Sequence, residues 1–182
     1  LCETIKIFIT HDREMFDYVV KNYEEILNLD KSVLEKIISR AVEIKASVVV
    51  RDEKEKGERS VLNFGHTIGH AIEKLSNYKL LHGEAVGLGV LVEAKIAQLV
   101  GKLPESVFEE LESFVVKLIK TERLKDYKIE NILQEIKLDK KSKGGQAKFV
   151  LLKGVGRFCK QHGRYAHSVD DKIIRKALRY FI

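Results

Sequence analysis

Residues 62–86 read LNFGHTIGHAIEKLSNYKLLHGEAV, a segment that holds three of the chain's histidines. Ile68, Ile72 and Leu75 recur at helical spacing, which predicts a helix over about 64–76 ending at Asn77-Tyr78. A second helix starts after His82-Gly83 and runs to about Val100, where Gly101 supplies a stop. His66 and His70 lie four apart, so a helix projects both imidazoles from one face. With His82, three of the six histidines fall within 17 residues, beside Glu73 and Glu84. Neutral imidazoles plus a carboxylate are the donor set of a catalytic divalent metal that keeps one position open. Spacing alone leaves two readings standing: a metal chelated through His66 and His70, or histidines with structural roles. A zinc peptidase is excluded, because the glutamate that must follow the first histidine is replaced by Thr67.

Upstream, Phe16, Val19, Val20, Tyr23, Ile26 and Leu27 keep a helical period from about residue 12. Asp30 is placed to cap another helix through Leu34, Ile37, Ile38, Ala41 and Ile44. The polar stretch 51–60 reads as a helix break. Downstream, helices fit 105–120 and 129–136, and LDKKSKGGQA at 138–147 reads as a basic loop. FVLL at 149–152, the turn KGVG at 153–156 and RFCKQ predict a hairpin, before a last amphipathic helix through Ile173, Ile174, Ala177, Leu178 and Phe181. The expectation is one mainly α domain over residues 1–182, with a small β-hairpin near 148–160. Gly87 and Gly89 sit in a helical pattern without a third matching glycine. They suit close helix packing rather than a dinucleotide loop.

Composition narrows the function classes. No stretch approaches 18 uninterrupted apolar residues, and the N-terminus lacks the charge–apolar–cleavage pattern of a signal peptide, so a cytoplasmic location is expected. Cys2 and Cys159 are too few for a disulfide framework and read as free thiols. The net charge is +6, but lysines alternate with glutamates along most of the chain, as on a solvated helix surface. No zinc-finger, RNP or KH signature accompanies that charge, so nucleic acid is not an expected partner.

Several separated segments, in order, resemble the 3-dehydroquinate synthases. LNFGHTIGHAIE followed by LLHGEAVGLG looks like that family's signature, and KASVVVRDEKEKGERSVLNFGH precedes it as in the family. LCETIKIFI resembles the A-E-x-I-K segment, with Cys2 in place of the usual alanine, and LDKKSKGGQAKFVLLKGVG resembles the late D-K-K…FVLL…G stretch. The resemblance covers essentially the whole chain, but only the family's helical C-terminal domain. It implies an N-terminal NAD-binding α/β domain that is absent here, and a chain taken from a longer protein.

The resemblance also implies roles. Glu3, His66 and His82 match the family's ligands for a divalent metal, Zn2+ or Co2+, while His70 matches a catalytic-site histidine. Lys45 and Asn63 match catalytic-site positions, and Lys6, Arg59 and Lys141 match positions that contact substrate, with Lys140 the neighbouring alternative to Lys141. The implied reaction turns 3-deoxy-arabino-heptulosonate 7-phosphate into 3-dehydroquinate and phosphate in the shikimate pathway. NAD transiently oxidises a hydroxyl, and the metal acts as Lewis acid. An anionic sugar-phosphate substrate suits the cluster of cations. A homodimer is the assembly the family suggests. Other sugar-phosphate cyclases, such as 2-deoxy-scyllo-inosose synthase, share the metal triad, and glycerol dehydrogenase-type polyol dehydrogenases share the architecture.

Overall fold

A computed structural model describes residues 1–55, 57–142 and 147–182, and side chains at 139–142 lie outside that description. Nine α-helices lie among the described residues: α1 (Cys2–His11), α2 (Arg13–Lys21), α3 (Tyr23–Leu27), α4 (Lys31–Arg51), α5 (His66–Leu75), α6 (His82–Leu99), α7 (Glu105–Val115), α8 (Ile129–Ser142) and α9 (Asp171–Phe181). Two short antiparallel pairs accompany them. β1 (Lys148–Val150) pairs with β4 (Ala166–Ser168), and β2 (Leu152–Gly154) pairs with β3 (Arg157–Phe158). The mainly α class and the small hairpin agree with expectation. The β1–β4 pair reaches beyond residue 160 and was not anticipated.

The central element is α6. Twelve of its 18 residues are buried, so it presents no polar stripe to solvent, and α1, α5, α7 and α9 all pack on it. Each fully buried aliphatic side chain there contributes on the order of 1.5–3 kcal/mol relative to exposure. The crossing of α5 over α6 is unusually close. A Cβ built on Gly89 lands 1.9 Å from the Gly65 carbonyl oxygen, so only glycine permits this approach. Gly65 itself has φ +82° and ends the 3₁₀ segment and loop before α5 in a left-handed conformation.

The first element is a helix that the periodicity did not reveal. Ile5, Lys6, Ile7, Phe8, Ile9 and Thr10 are buried on every side of α1, so no amphipathic period exists. Its β-branched content also argues for a strand from sequence alone. The predicted helix over 12–27 is divided at Asn22 into α2 and α3. Asp12 caps α2 by accepting from the Met15 amide at 3.1 Å, and Asp30 caps α4 by accepting from the Val33 amide at 3.0 Å, caps worth about 1 kcal/mol each. The last turn of α8 runs through residues 138–142, which the sequence suggested as loop. Lys140 and Lys141 fall in that helix, but their side chains lie outside the described residues, as do residues 143–146.

The β-layer is tied to α1, because the Gly156 amide in the β2–β3 turn donates to the Ile9 carbonyl at 2.8 Å. Among the described residues no helix is long and apolar enough to cross a membrane.

Candidate metal centre

Three elements deliver three donor atoms to one point. Glu3 lies in the first turn of α1, His66 opens α5 and His82 opens α6. Glu3 Oε1 is 3.4 Å from His66 Nε2 and 3.7 Å from His82 Nε2, and the three ligand atoms all lie within 4.8 Å of one another.

Each donor is oriented by a second contact. His66 Nδ1 lies 3.2 Å from the Phe64 carbonyl oxygen, to which it donates, leaving the Nε2 lone pair towards Glu3. His82 Nδ1 lies 3.0 Å from the Glu73 carboxylate, which fixes the same tautomer and raises ring basicity. Glu3 Oε2 accepts from Lys6 Nζ at 2.9 Å, while Oε1 is buried and, among the described residues, accepts no hydrogen bond. A buried carboxylate oxygen without a donor is costly, and two imidazole lone pairs facing it make the cost worse. A divalent cation among the three satisfies all of them at once, and the donor set of one carboxylate and two imidazoles is a catalytic-type one.

Electrostatics favour the unprotonated donors. Burial, aided by the neighbouring Lys6 ammonium, pushes His66 down to about 4, so its ring is neutral at pH 7. Burial alone would raise the Glu3 carboxyl, but Lys6, with smaller contributions from His66 and His82, holds the group below the usual carboxylate value. Lys6 is 3% exposed; burial lowers its pKa, and the Glu3 carboxylate opposes that shift. Its ammonium also donates to the Leu62 carbonyl at 2.7 Å, which ties α1 to the 3₁₀ segment over Glu58–Asn63.

His70 stands one turn beyond His66 with its ring centroid 5.1 Å from that of His66. It is exposed and joins Glu73 and His82 in a second compact group. In that group the Glu73 carboxylate is already engaged with His82 Nδ1, so the two groups compete for one ring. The buried, donor-starved oxygen belongs to the Glu3 group.

Beside the triad opens a cavity of about 190 Å³ lined by Glu3, Lys6, Lys45, Arg59, Asn63 and His66, among others. Six of the residues singled out from sequence thus meet on one concave surface, with three cations among the described residues on its wall. Arg59 is held by its own Nη1 donating to the Glu53 carbonyl at 2.7 Å and by its backbone amide donating to Asp52 at 3.0 Å. Asn63 Nδ2 donates to Glu55 Oε1 at 2.6 Å, and Glu55, a cavity-lining residue with φ +52°, was not anticipated from sequence. Two further carboxylates had no assigned role: Glu73, behind His82, and Glu93, buried in α6. A lone acid in the apolar run GVLVEAKIA was the available signal for Glu93.

The 3-dehydroquinate synthase C-terminal family model matches residues 1–142. The 3-dehydroquinate synthase of Alkaliphilus metalliredigens is 45% identical over 157 residues, 86% of this chain and 44% of that protein. That of Ruminiclostridium cellulolyticum is 37% identical over 98% of this chain and 48% of its own length. The chain therefore spans a little under half of the curated relatives it matches. Among solved structures, a 2-deoxy-scyllo-inosose synthase complexed with carbaglucose-6-phosphate, NAD+ and Co2+ is similar at TM-score 0.75 and 25% identity, over 98% of this chain and 49% of that one. A 2-epi-5-epi-valiolone synthase from Streptomyces hygroscopicus, with NAD+ and Zn2+ bound, shares the fold at TM-score 0.82 and 20% identity, over 99% and 49% of the two chains. With the family model matching most of its length, this chain belongs to the 3-dehydroquinate synthase C-terminal family.

Proposed function

We propose that this chain is the metal- and substrate-binding part of a 3-dehydroquinate synthase, acting on 3-deoxy-arabino-heptulosonate 7-phosphate and releasing phosphate. The observation that carries the reading is the convergence of Glu3 Oε1, His66 Nε2 and His82 Nε2 at the edge of a cation-lined cavity. A Zn2+ or Co2+ ion bound there would supply Lewis acidity towards substrate hydroxyls, and NAD, held by an N-terminal domain outside this chain, would take up a hydride from the substrate and return it.

The chain's own residues bind, orient and handle protons. Lys45 and Arg59 face the cavity and are placed to hold a carboxylate and a phosphate, with Lys6 buried at its base. Lys141 belongs to the same proposal on sequence grounds alone. His70, next to the triad but not part of it, has the reach to exchange a proton with a hydroxyl held at the site. Asn63, fixed by Glu55, orients the substrate. The curated relatives favour this substrate over that of 2-deoxy-scyllo-inosose synthase, with which the chain shares architecture at lower identity. A cytoplasmic location and a homodimeric assembly are part of the same proposal.

The test joins this chain to its NAD-binding part and supplies the heptulosonate phosphate. Phosphate release that needs NAD and is abolished by a chelator is expected, with none from the chain alone. Release by the chain alone, or turnover of glucose 6-phosphate in preference, would overturn the assignment.

A further inference from the structure

His66 owes its position to the first turn of α5, and that turn has an unusual problem. Its N-cap is Gly65, which offers no side chain to the amides of the turn. A capping serine or aspartate cannot stand there. The φ of +82° strains any L-residue, and a Cβ would fall 2.8 Å from Val90 Cγ2 and 3.0 Å from both the Val86 carbonyl oxygen and the Val90 amide nitrogen. The cap must therefore come from another element.

It comes from α6. Glu93 is 0% exposed, and its carboxylate accepts from the amides of Gly65 at 2.9 Å, Thr67 at 3.0 Å and Ile68 at 3.3 Å. Burying a carboxylate this deeply is unfavourable unless it is matched by donors and positive potential, and the N-terminus of α5 supplies both. Glu93 lies one turn beyond Gly89, the residue whose missing Cβ lets α5 approach. One face of α6 thus both admits α5 and holds its first turn by charge. The same α6 begins with His82. Glu93 therefore couples the two imidazoles of the triad through the backbone between them.

We propose that Glu93 is a positioning residue for the metal centre, setting His66 against His82 by capping α5 from α6. This rests on the metal reading of the Glu3–His66–His82 site, and the experiment separates the two. Co2+ affinity is measured by chelator competition and the visible ligand-field spectrum is recorded for the chain and for Glu93→Gln, alongside thermal melting of both without metal. Glu93→Gln keeps the shape but replaces one acceptor oxygen by a donor facing amide N–H groups. The expected result is a loss of roughly 10- to 100-fold in Co2+ affinity with an altered spectrum, as for other groups that orient metal ligands. A purely structural role would lower the melting point while leaving the affinity and spectrum of the folded protein unchanged, and that result overturns the proposal.

Should the variant not fold, amide hydrogen exchange on the unmodified chain decides. Co2+ is expected to slow exchange at Gly65, Thr67 and Ile68, and unchanged exchange there overturns the coupling. Absence of Co2+ binding by the unmodified chain would overturn the metal reading itself, and this inference with it.

Discussion

Replacing Gly89 by alanine puts the whole arrangement under load at one atom. The added Cβ would sit 1.9 Å from the Gly65 carbonyl oxygen, 2.8 Å from its carbon and 2.9 Å from the Gly69 amide nitrogen. Ordinary contact begins near 3.4 Å, so α5 and α6 must separate by roughly 1.5 Å, and no rotamer change relieves a backbone contact. Overpacking of this kind costs about 1–3 kcal/mol, and the backbone partners put it at or above the upper end. The functional effect is larger than the stability loss suggests. Metal ligands tolerate errors of only about 0.2 Å, while His66 and His82 ride on the two helices being wedged apart. Thermal melting with a chelator present and Co2+ competition titration read the two effects separately. The expected outcome is a melting point lowered by several degrees and Co2+ affinity reduced at least about 100-fold, the upper end of what disturbed ligand geometry costs. Gly101→Ala is the matched comparison: φ is +69° but a Cβ there meets nothing within 4 Å. It should lose about 1 kcal/mol from backbone strain and keep its metal affinity. Wild-type melting and affinity in Gly89→Ala would refute the reasoning.

Other perturbations separate the roles around the site. His82→Ala should abolish tight Co2+ binding whereas His70→Ala retains it within a few-fold; equal losses in a competition titration would favour the His70 group instead. Glu73→Gln removes the charged acceptor behind His82 Nδ1 and should weaken Co2+ binding by about 10-fold, measured the same way. Stability of the metal-free chain should fall as pH drops from 6.5 to about 4, because the unfolded chain takes up a proton at His66 before the folded chain does. Glu3, with its folded pKa lowered below 4.5, adds a loss in the same direction at more acid pH. Chemical denaturation across that range reads both, and His66→Gln should reduce the slope in the upper part of the curve, leaving the contribution of His11, whose pKa burial also lowers.

What the sequence disclosed depended on how each residue is used. The helices carrying an apolar stripe over polar faces, such as α4 and α9, were legible from periodicity, and Asp30 announced its own cap. Helix α1 was not, since it is buried all round and rich in β-branched residues, and it carries both Glu3 and Lys6. The histidine cluster signalled a metal, yet the i,i+4 rule pointed to His66 with His70. Tertiary packing instead brings His66 Nε2 to Glu3, 63 positions away in sequence, through the crossing of α1, α5 and α6. Only the family resemblance singled out Glu3 beforehand. Glu55, Glu73 and Glu93 act on other residues rather than on a motif of their own, and local pattern cannot show such partnerships.

The most direct test of the account is a crystal structure of the chain loaded with Co2+, with anomalous scattering collected at the cobalt edge. One strong peak per chain is expected, bonded to Glu3 Oε1, His66 Nε2 and His82 Nε2 at about 2.0–2.2 Å. A peak ligated by His70 and Glu73, or none at the triad, would contradict it.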